Sequence, residues 1–364
     1  MAQIQSITIR GFKSIRALEH LELRPLNVLI GPNGAGKSNF IGALRFLSEV
    51  AGDNFPGYVQ MQGKAPALLH GGLKRTRVIE MEIYGQPKGT VSNGYRVSLE
   101  PTNDGRLIFT REETWIAGDT TPGSPRALGR NHEEALIRSD TSAVGMHVRA
   151  MMQSWLQYHF HDTSDLAAVK GAHRASDTLR LKPDASNLAA LIAKLKRKNR
   201  AVYNQLVQTI RLVAPFFGDF VQSDETAETI QLEWTQRTDP DTPFGASALS
   251  DGTLRFICLA TLLIAPGFAP DTLLIDEPEL GLHPFAIGVL ADLLKQTAEK
   301  RQLIVSTQSV DLLNALSPED LIVVEREGDE STFKRLDSTQ LAGWLETYTP
   351  LGELWLRNVF GGRP

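Results

Sequence analysis

One cysteine stands in the whole 364-residue chain. A lone Cys258 excludes an internal disulfide and any cysteine-rich metal site, and its apolar neighbours assign it to packing rather than reactivity. No uncharged apolar run comes near the ~20 residues that a membrane-spanning helix needs. The opening Met1–Arg10 alternates polar and apolar residues without the apolar core of a signal peptide, so a cytoplasmic protein with no membrane partner is expected. Excess charge of one sign is missing too. The formal net charge is −4, which excludes a chain that is basic throughout but not a local basic patch. The eight histidines show no metal-ligand spacing; His159 and His161 fall two apart in an expected helix and would not share a face. The length suits one large α/β domain with an insertion, or two domains.

What the chain does carry is a phosphate-binding loop. Gly31-Pro32-Asn33-Gly34-Ala35-Gly36-Lys37-Ser38 meets the pattern G-x-x-x-x-G-K-[ST] at every fixed position. The apolar run Leu26–Ile30 reads as a buried strand feeding the loop, and residues 39–50 read as a helix with Phe40, Ile41, Leu44 and Leu47 on one face. This order wraps Asn33, Gly34, Ala35, Gly36, Lys37, Ser38 and Asn39 around a polyphosphate at the positive end of a helix. Lys37 reaches the β- and γ-phosphates and the Ser38 hydroxyl ligates Mg²⁺. A nucleotide with Mg²⁺ is therefore expected; no aromatic residue is clearly placed to stack on adenine, so ATP as the cofactor is what the family resemblance given below implies.

Strand patterns flank the loop at Ile4–Ile9 and Leu18–Leu23, and residues 51–76 read as loop. Short strands at Val78–Tyr84, Tyr95–Glu100 and Arg106–Trp115, joined by turn residues, predict an antiparallel β lobe. Residues 118–130 turn rich in Thr, Pro, Gly and Ser, and 131–215 read as mainly helical, with one helix running from a Ser186 or Asn187 cap through Ile210. Later, Ser250-Asp251-Gly252 precedes a helix that is apolar on nearly all sides and hence buried. Buried strands at 273–275, 303–305 and 321–324 alternate with helices, which implies a mostly parallel sheet with helices on its faces.

Asp276 and Glu277 end the strand Leu273-Leu274-Ile275. Phosphoryl transfer to water needs a metal and a group that orients the attacking water. Asp276 suits the Mg²⁺ role and Glu277 that of general base.

Leu249-Ser250-Asp251-Gly252-Thr253-Leu254-Arg255 resembles the signature motif of ABC-type ATPases in its RecF, SMC and OLD-like variant. Asp276 to Pro284 resembles the combined Walker B and D-loop of that group, and Ile9 to Ser14 its N-terminal strand and turn. Leu351 to Trp355, with Gly361 to Pro364, resembles the stand-alone bacterial AAA family ATPases of that superfamily. The likeness covers about residues 1–50 and 245–325; the middle agrees only in general organisation. It implies a P-loop NTPase with an ABC-ATPase-like mixed sheet flanked by helices, an antiparallel β lobe and a mainly helical insertion. The corresponding partition is 1–117 and 229–364 for the ATPase domain and 118–228 for the insertion. It also implies that Ser250, Asp251 and Gly252 bind a γ-phosphate held by a second copy, so that a homodimer encloses two ATP molecules.

Two departures matter. The switch segment reads Ser306-Thr307-Gln308-Ser309 rather than carrying a histidine, and Gln308 donates a hydrogen bond but does not titrate, so slow turnover is expected. The resemblance implies a Q-loop glutamine, and Gln60 and Gln62 both fall in the interval for it. Separately, Val323-Val324-Glu325 with Glu327-Gly328-Asp329 superficially resembles the start of a TOPRIM nuclease domain, but only 35 residues follow Asp329, too few for that fold.

Residues 170–215 hold ten lysines and arginines against two aspartates, densest at Lys194, Lys196, Arg197, Lys198 and Arg200. They read equally as a DNA contact or as a solvated helix face. The function expected is an ATP-driven dimerising switch in DNA maintenance or phage defence. The alternative is an ATP-bound scaffold with little turnover that holds or gates an effector encoded nearby, such as a nuclease. A transporter ATPase is weakened by the missing membrane segment, and a small-molecule kinase has no use for a signature helix.

Overall fold

The computed structural model describes residues 3–86, 91–118, 125–221, 227–265, 267–339, 341 and 350–362. The chain divides into two compact units: Met1–Leu156 with Pro318–Thr349 and Leu354–Pro364, and Gln157–Ser317 with Pro350–Glu353.

The first unit begins with β1 (Ile4–Phe12), β2 (Ile15–Glu22) and β3 (Leu26–Ile30), followed by α1 (Lys37–Val50), α2 (Phe55–Met61) and α3 (Lys64–Leu68). Then come β4 (Ile79–Gly85), β5 (Val91–Pro101), β6 (Leu107–Gly118), β7 (Arg126–Gly129) and α4 (Ala143–Gln153). The expected β lobe is present as a six-stranded antiparallel sheet in the order β2-β1-β4-β5-β6-β7. The alternation in β4 buries Ile79, Met81 and Ile83 on one face. Helix α1 buries Phe40, Ile41, Leu44, Phe46, Leu47 and Val50, and rings pack in series from Phe12 to Phe46, Phe55 and Phe109, with centroids 5.3 to 5.4 Å apart.

Residues 51–76 are not all loop. Asn54 caps α2 by accepting a bond from the Gly57 N–H at 3.1 Å, and Pro56 occupies its first turn. Proline at that point starts a helix, so residues read as loop punctuation are helix-start signals here.

The second unit contains β8 (Leu156–Tyr158) from Gln157 onward, β9 (His173–Arg174), α5 (Leu188–Lys198), α6 (Arg200–Val213), β10 (Phe217–Phe220), β11 (Thr229–Ile230), β12 (Glu233–Gln236) and β13 (Phe244–Gly245). It continues through α7 (Asp251–Ile264), β14 (Thr272–Asp276), α8 (Pro284–Ala298), β15 (Gln302–Thr307) and α9 (Val310–Asn314). The region 131–215 is less helical than its composition predicts, since 156–187 is mostly turn and irregular chain, with two short strands and one helical turn at Ala168–Lys170. His159 and His161 lie outside any helix, with their rings 5.9 Å apart. The long helix expected through Ile210 breaks at Asn199, whose side chain accepts from the Val202 N–H at 3.3 Å and caps α6. Helix α7 is buried along nearly its whole length and packs with α6 and α8. Strands β14 and β15 run parallel, with Asp276 opposite Ser306.

The chain returns to the first unit as β16 (Leu321–Glu327) and β17 (Glu330–Arg335). Strand β16 is parallel to β3 and antiparallel to β17, so sheet of both senses occurs, as the mixed architecture requires.

Candidate functional site

In the first unit, β3 ends at Ile30 and α1 starts at Lys37, which leaves the six residues between them as the loop. Gly36 has φ 122°, a backbone that L side chains rarely adopt, and it caps α1 without a side chain. A Cβ there would lie 2.1 Å from Ser331 Oγ and 3.0 Å from Ser14 Oγ. These two hydroxyls are hydrogen-bonded at 2.7 Å, Ser331 Oγ also donates to the Ala35 carbonyl, and the Asn39 amide donates to Ser14 Oγ at 2.6 Å. Arg326 donates to the Gly34 carbonyl at 3.2 Å. The loop is thus braced from behind, while Asn33, Gly34 and Ser38 are exposed. Lys37 is buried, and its Nζ donates to the carbonyls of Gly31 at 2.6 Å and Pro32 at 3.1 Å. An ammonium held by its own loop, an exposed Asn33-Gly34 turn and a first-turn serine are a donor set that fits a Mg²⁺-bound polyphosphate.

In the second unit, Asp276 and Glu277 stand where β14 ends. Ser306 Oγ donates to Asp276 Oδ1, and Gln157 Nε2 reaches Asp276 Oδ2 at 3.4 Å. Glu277 adopts φ 44°, so the chain bends sharply out of the strand. Its N–H donates to the Ser306 carbonyl at 2.9 Å, and Gln308 Nε2 donates to its Oε1 at 2.6 Å. The predicted base and the predicted switch residue are therefore in direct contact.

Glu279 was not singled out from the sequence. Its Oε1 accepts from Thr307 Oγ1 at 2.6 Å and from the Gln308 N–H at 3.2 Å. Burial pushes its carboxyl above the usual range, against the pull of these donors, and the nearby Glu277 charge pushes the same way. The residue lies inside the Asp276–Pro284 stretch, so a third acid in that motif was the available signal.

Ser250 caps α7: its Oγ accepts from the Thr253 N–H at 3.3 Å and lies 2.8 Å from Thr253 Oγ1. Asp251 and Ser250 are exposed at this helix N-terminus. A Cβ on Gly252 would stand 2.5 Å from the Gly281 carbonyl oxygen, and Arg255 donates to the Leu280 carbonyl at 2.9 Å. The signature segment is thereby fixed to the segment that follows Glu279.

The basic block is only partly available. Lys194 Nζ donates to the Thr178 carbonyl at 2.8 Å, and Lys196 Nζ pairs with Asp219 at 3.0 Å and donates to the Phe220 carbonyl at 2.6 Å. Arg197, Lys198 and Arg200 are exposed. The first unit also brings together His70, Asp329 and Glu330, but Asp329 pairs with Arg75, Glu330 pairs with Arg16, and the His70 ring is bonded to the Lys13 carbonyl. No described helix is long and apolar enough to cross a membrane.

A strand, glycine loop and helix in one unit, with an Asp-Glu strand end and a serine-capped buried helix in the other, define a P-loop ATPase fold of the ABC type. Parts of the chain match models of AAA domains, neither of them over half of its length. A family model described as "AAA ATPase domain" matches residues 3–101, and one described as "AAA domain, putative AbiEii toxin, Type IV TA system" matches residues 148–314. The Old nuclease of Escherichia phage P2 is 22% identical over 388 residues, which cover 96% of this chain and 63% of that protein. The OLD nuclease of Thermus scotoductus is 23% identical over 346 residues, covering 90% of this chain and 63% of its own length. The chain thus spans under two thirds of the length of either nuclease. Among solved structures, the Smc head domain with an extended coiled coil bound to the C-terminal domain of ScpA, from Pyrococcus furiosus, superposes with a TM-score of 0.63. It shares 16% identity, and the match covers 96% of this chain and all of that one, which shows a common fold.

Proposed function

We propose that this chain binds ATP with Mg²⁺ and hydrolyses it slowly to ADP and phosphate. Hydrolysis times the pairing of two copies, in DNA maintenance or phage defence. The observation that carries the reading is the bond between Gln308 Nε2 and Glu277 Oε1 at the end of β14. A carboxylate held by an amide donor at a strand terminus suits a general base, whose position matters as much as its basicity.

Bound ATP would supply the phosphoanhydride, and Mg²⁺ would neutralise its developing charge. Asn33 to Asn39 would offer backbone and hydroxyl groups to the phosphates, Lys37 would exchange its carbonyl partners for phosphate oxygens, and Ser38 in the first unit and Asp276 in the second are the residues that would serve the metal. Glu277 takes the proton of the attacking water. Gln308 orients Glu277 and carries no titrating group, which supports slow turnover. Ser250, Asp251 and Gly252 serve the γ-phosphate of a second copy.

Glu277→Gln tests this reading. The variant should bind ATP as the wild type does, release no phosphate, and accumulate as a dimer in light scattering with saturating ATP and Mg²⁺. A monomer in both proteins would remove the shared site. A second reading, an ATP-bound scaffold for a separate effector, is favoured by the uncharged Gln308; tight ATP binding with no phosphate release by the wild type would establish it.

A further inference from the structure

We propose that Glu279 is a positioning residue that sets the switch segment through Thr307 and Gln308 and thereby holds Glu277 for hydrolysis. The inference rests on the ATPase reading above.

One carboxylate oxygen, Glu279 Oε1, accepts from two successive switch residues, from the Thr307 hydroxyl at 2.6 Å and the Gln308 N–H at 3.2 Å. The Thr307 hydroxyl in turn accepts from the Ser309 N–H at 3.0 Å, so the anchor extends over three residues. Ser309 then caps α9, its Oγ accepting from the Leu312 N–H at 3.1 Å. With the Gln308 backbone tied at this point, its side-chain amide meets Glu277 at 2.6 Å.

Glu277 takes φ 44°, a conformation that a residue with a Cβ adopts only when its surroundings enforce it. That bend turns residues 278–280 back toward the end of β15. Glu279 Oε2 is buried with no hydrogen-bond partner among the described residues. A half-satisfied buried carboxylate is worse for stability than an apolar side chain of similar size. Strain and an unmet oxygen at one turn fit a residue kept for placement.

Without Oε1, the Thr307 hydroxyl and the Gln308 N–H lose their acceptor and the Gln308 amide is no longer fixed against Glu277. A misplacement of about 1 Å near a reacting group can cost about 100-fold in rate. Glu279→Leu should therefore lower kcat by about 10- to 100-fold while the Kd for ATP, measured by calorimetry, stays within about 2-fold. Glu279→Gln retains a carbonyl acceptor at the same reach and should stay within about 3-fold of wild type. Because Glu279 acts through Gln308, adding Glu279→Leu to Gln308→Ala should cost nothing further. Thr307→Val removes the hydroxyl that donates to Glu279 and accepts from the Ser309 N–H but leaves the Gln308 N–H bonded to Glu279, so it should give a smaller loss of the same kind, which keeps the test decisive if Glu279→Leu unfolds.

Wild-type phosphate release that Glu279→Leu and Thr307→Val both match would overturn the inference and leave the ATPase reading standing. So would losses that add to that of Gln308→Ala, or a Glu279→Gln variant as slow as Glu279→Leu. Absence of phosphate release from the wild type would overturn both.

Discussion

Ser331 Oγ occupies the space beside Gly36, standing 2.1 Å from where a Cβ at that position would lie. The hydroxyl belongs to β17 and the glycine to the phosphate loop, so two segments far apart in sequence shape one turn. The loop depends on both the missing Cβ and the positive φ.

Gly36→Ala should therefore reduce ATP affinity without unfolding the protein. A residue forced into a sparsely populated φ costs about 1 to 3 kcal/mol, which corresponds to about 5- to 150-fold in Kd if the loop yields instead. Adding Ser331→Gly relieves the contact but not the φ, so recovery should be partial. Calorimetric titration with ATP and Mg²⁺ measures both variants. Wild-type affinity in Gly36→Ala would refute the role of this contact.

A second prediction concerns Glu112, a fully buried carboxylate in β6. It accepts from Tyr95 Oη at 2.9 Å and from the N–H groups of Ile137 at 2.9 Å and Leu136 at 2.8 Å. Glu112→Leu would strand all three donors, each at about 1 to 3 kcal/mol when buried without a partner, and should cost about 3 to 5 kcal/mol in all. Tyr95→Phe removes one bond and should cost about 1 kcal/mol. Urea unfolding of the two variants checks the ratio; a loss under about 1 kcal/mol for Glu112→Leu would show that the network adds nothing.

The phosphate loop, the Asp-Glu strand end and the serine cap of α7 were legible because each is a local pattern: a buried strand, then residues with one permitted geometry. The antiparallel lobe was legible from period-2 alternation between turns. Glu279 was not, because its partners Thr307 and Gln308 are set by the bend at Glu277, and φ at a glutamate is not written in its side chain. Ser331 was missed for a related reason, since nothing in its own neighbourhood points to Gly36. The basic block misled in part. Composition counts Lys196 as a free charge, whereas folding places Asp219 3.0 Å from its Nζ.

The raised carboxyl of Glu279 predicts a pH dependence with a definite sign. Its ordinary value is 4.5, and desolvation raises it in the folded state. The folded protein then binds this proton more tightly than the unfolded chain. The stabilisation is complete below about 4.5 and is lost as pH rises through the folded value. Glu279→Gln removes the titration, so its Tm relative to wild type should climb as pH rises from about 4.5 and then level off. A Tm difference that is flat across this range would show that Glu279 titrates as it does in the unfolded chain.

The last prediction takes the basic block as the structure leaves it. Lys194 and Lys196 hold the fold: one donates to the Thr178 carbonyl and the other pairs with Asp219. Reversing Lys196 to Glu sets two acids against each other and should lower Tm, whatever the protein binds. Arg197, Lys198 and Arg200 are exposed, and Arg200 lies 5.2 Å from the Tyr203 ring centroid, so these three are the charges that a phosphate backbone could meet. If they do, duplex DNA should bind without marked sequence preference and with an affinity that falls steeply with salt. Each neutralised phosphate contributes about 0.9 to the slope of log K against log salt. Reversing Arg197, Lys198 and Arg200 to Glu should then flatten the slope by about 2 to 3 and leave Tm within about 2 °C. The same triple change should leave ATP binding as it was, since none of the three belongs to the phosphate loop or to the Asp276–Gln308 cluster. Superimposable salt titrations for wild type and the triple variant would take DNA away from this face of α5 and α6 and return it to solvent.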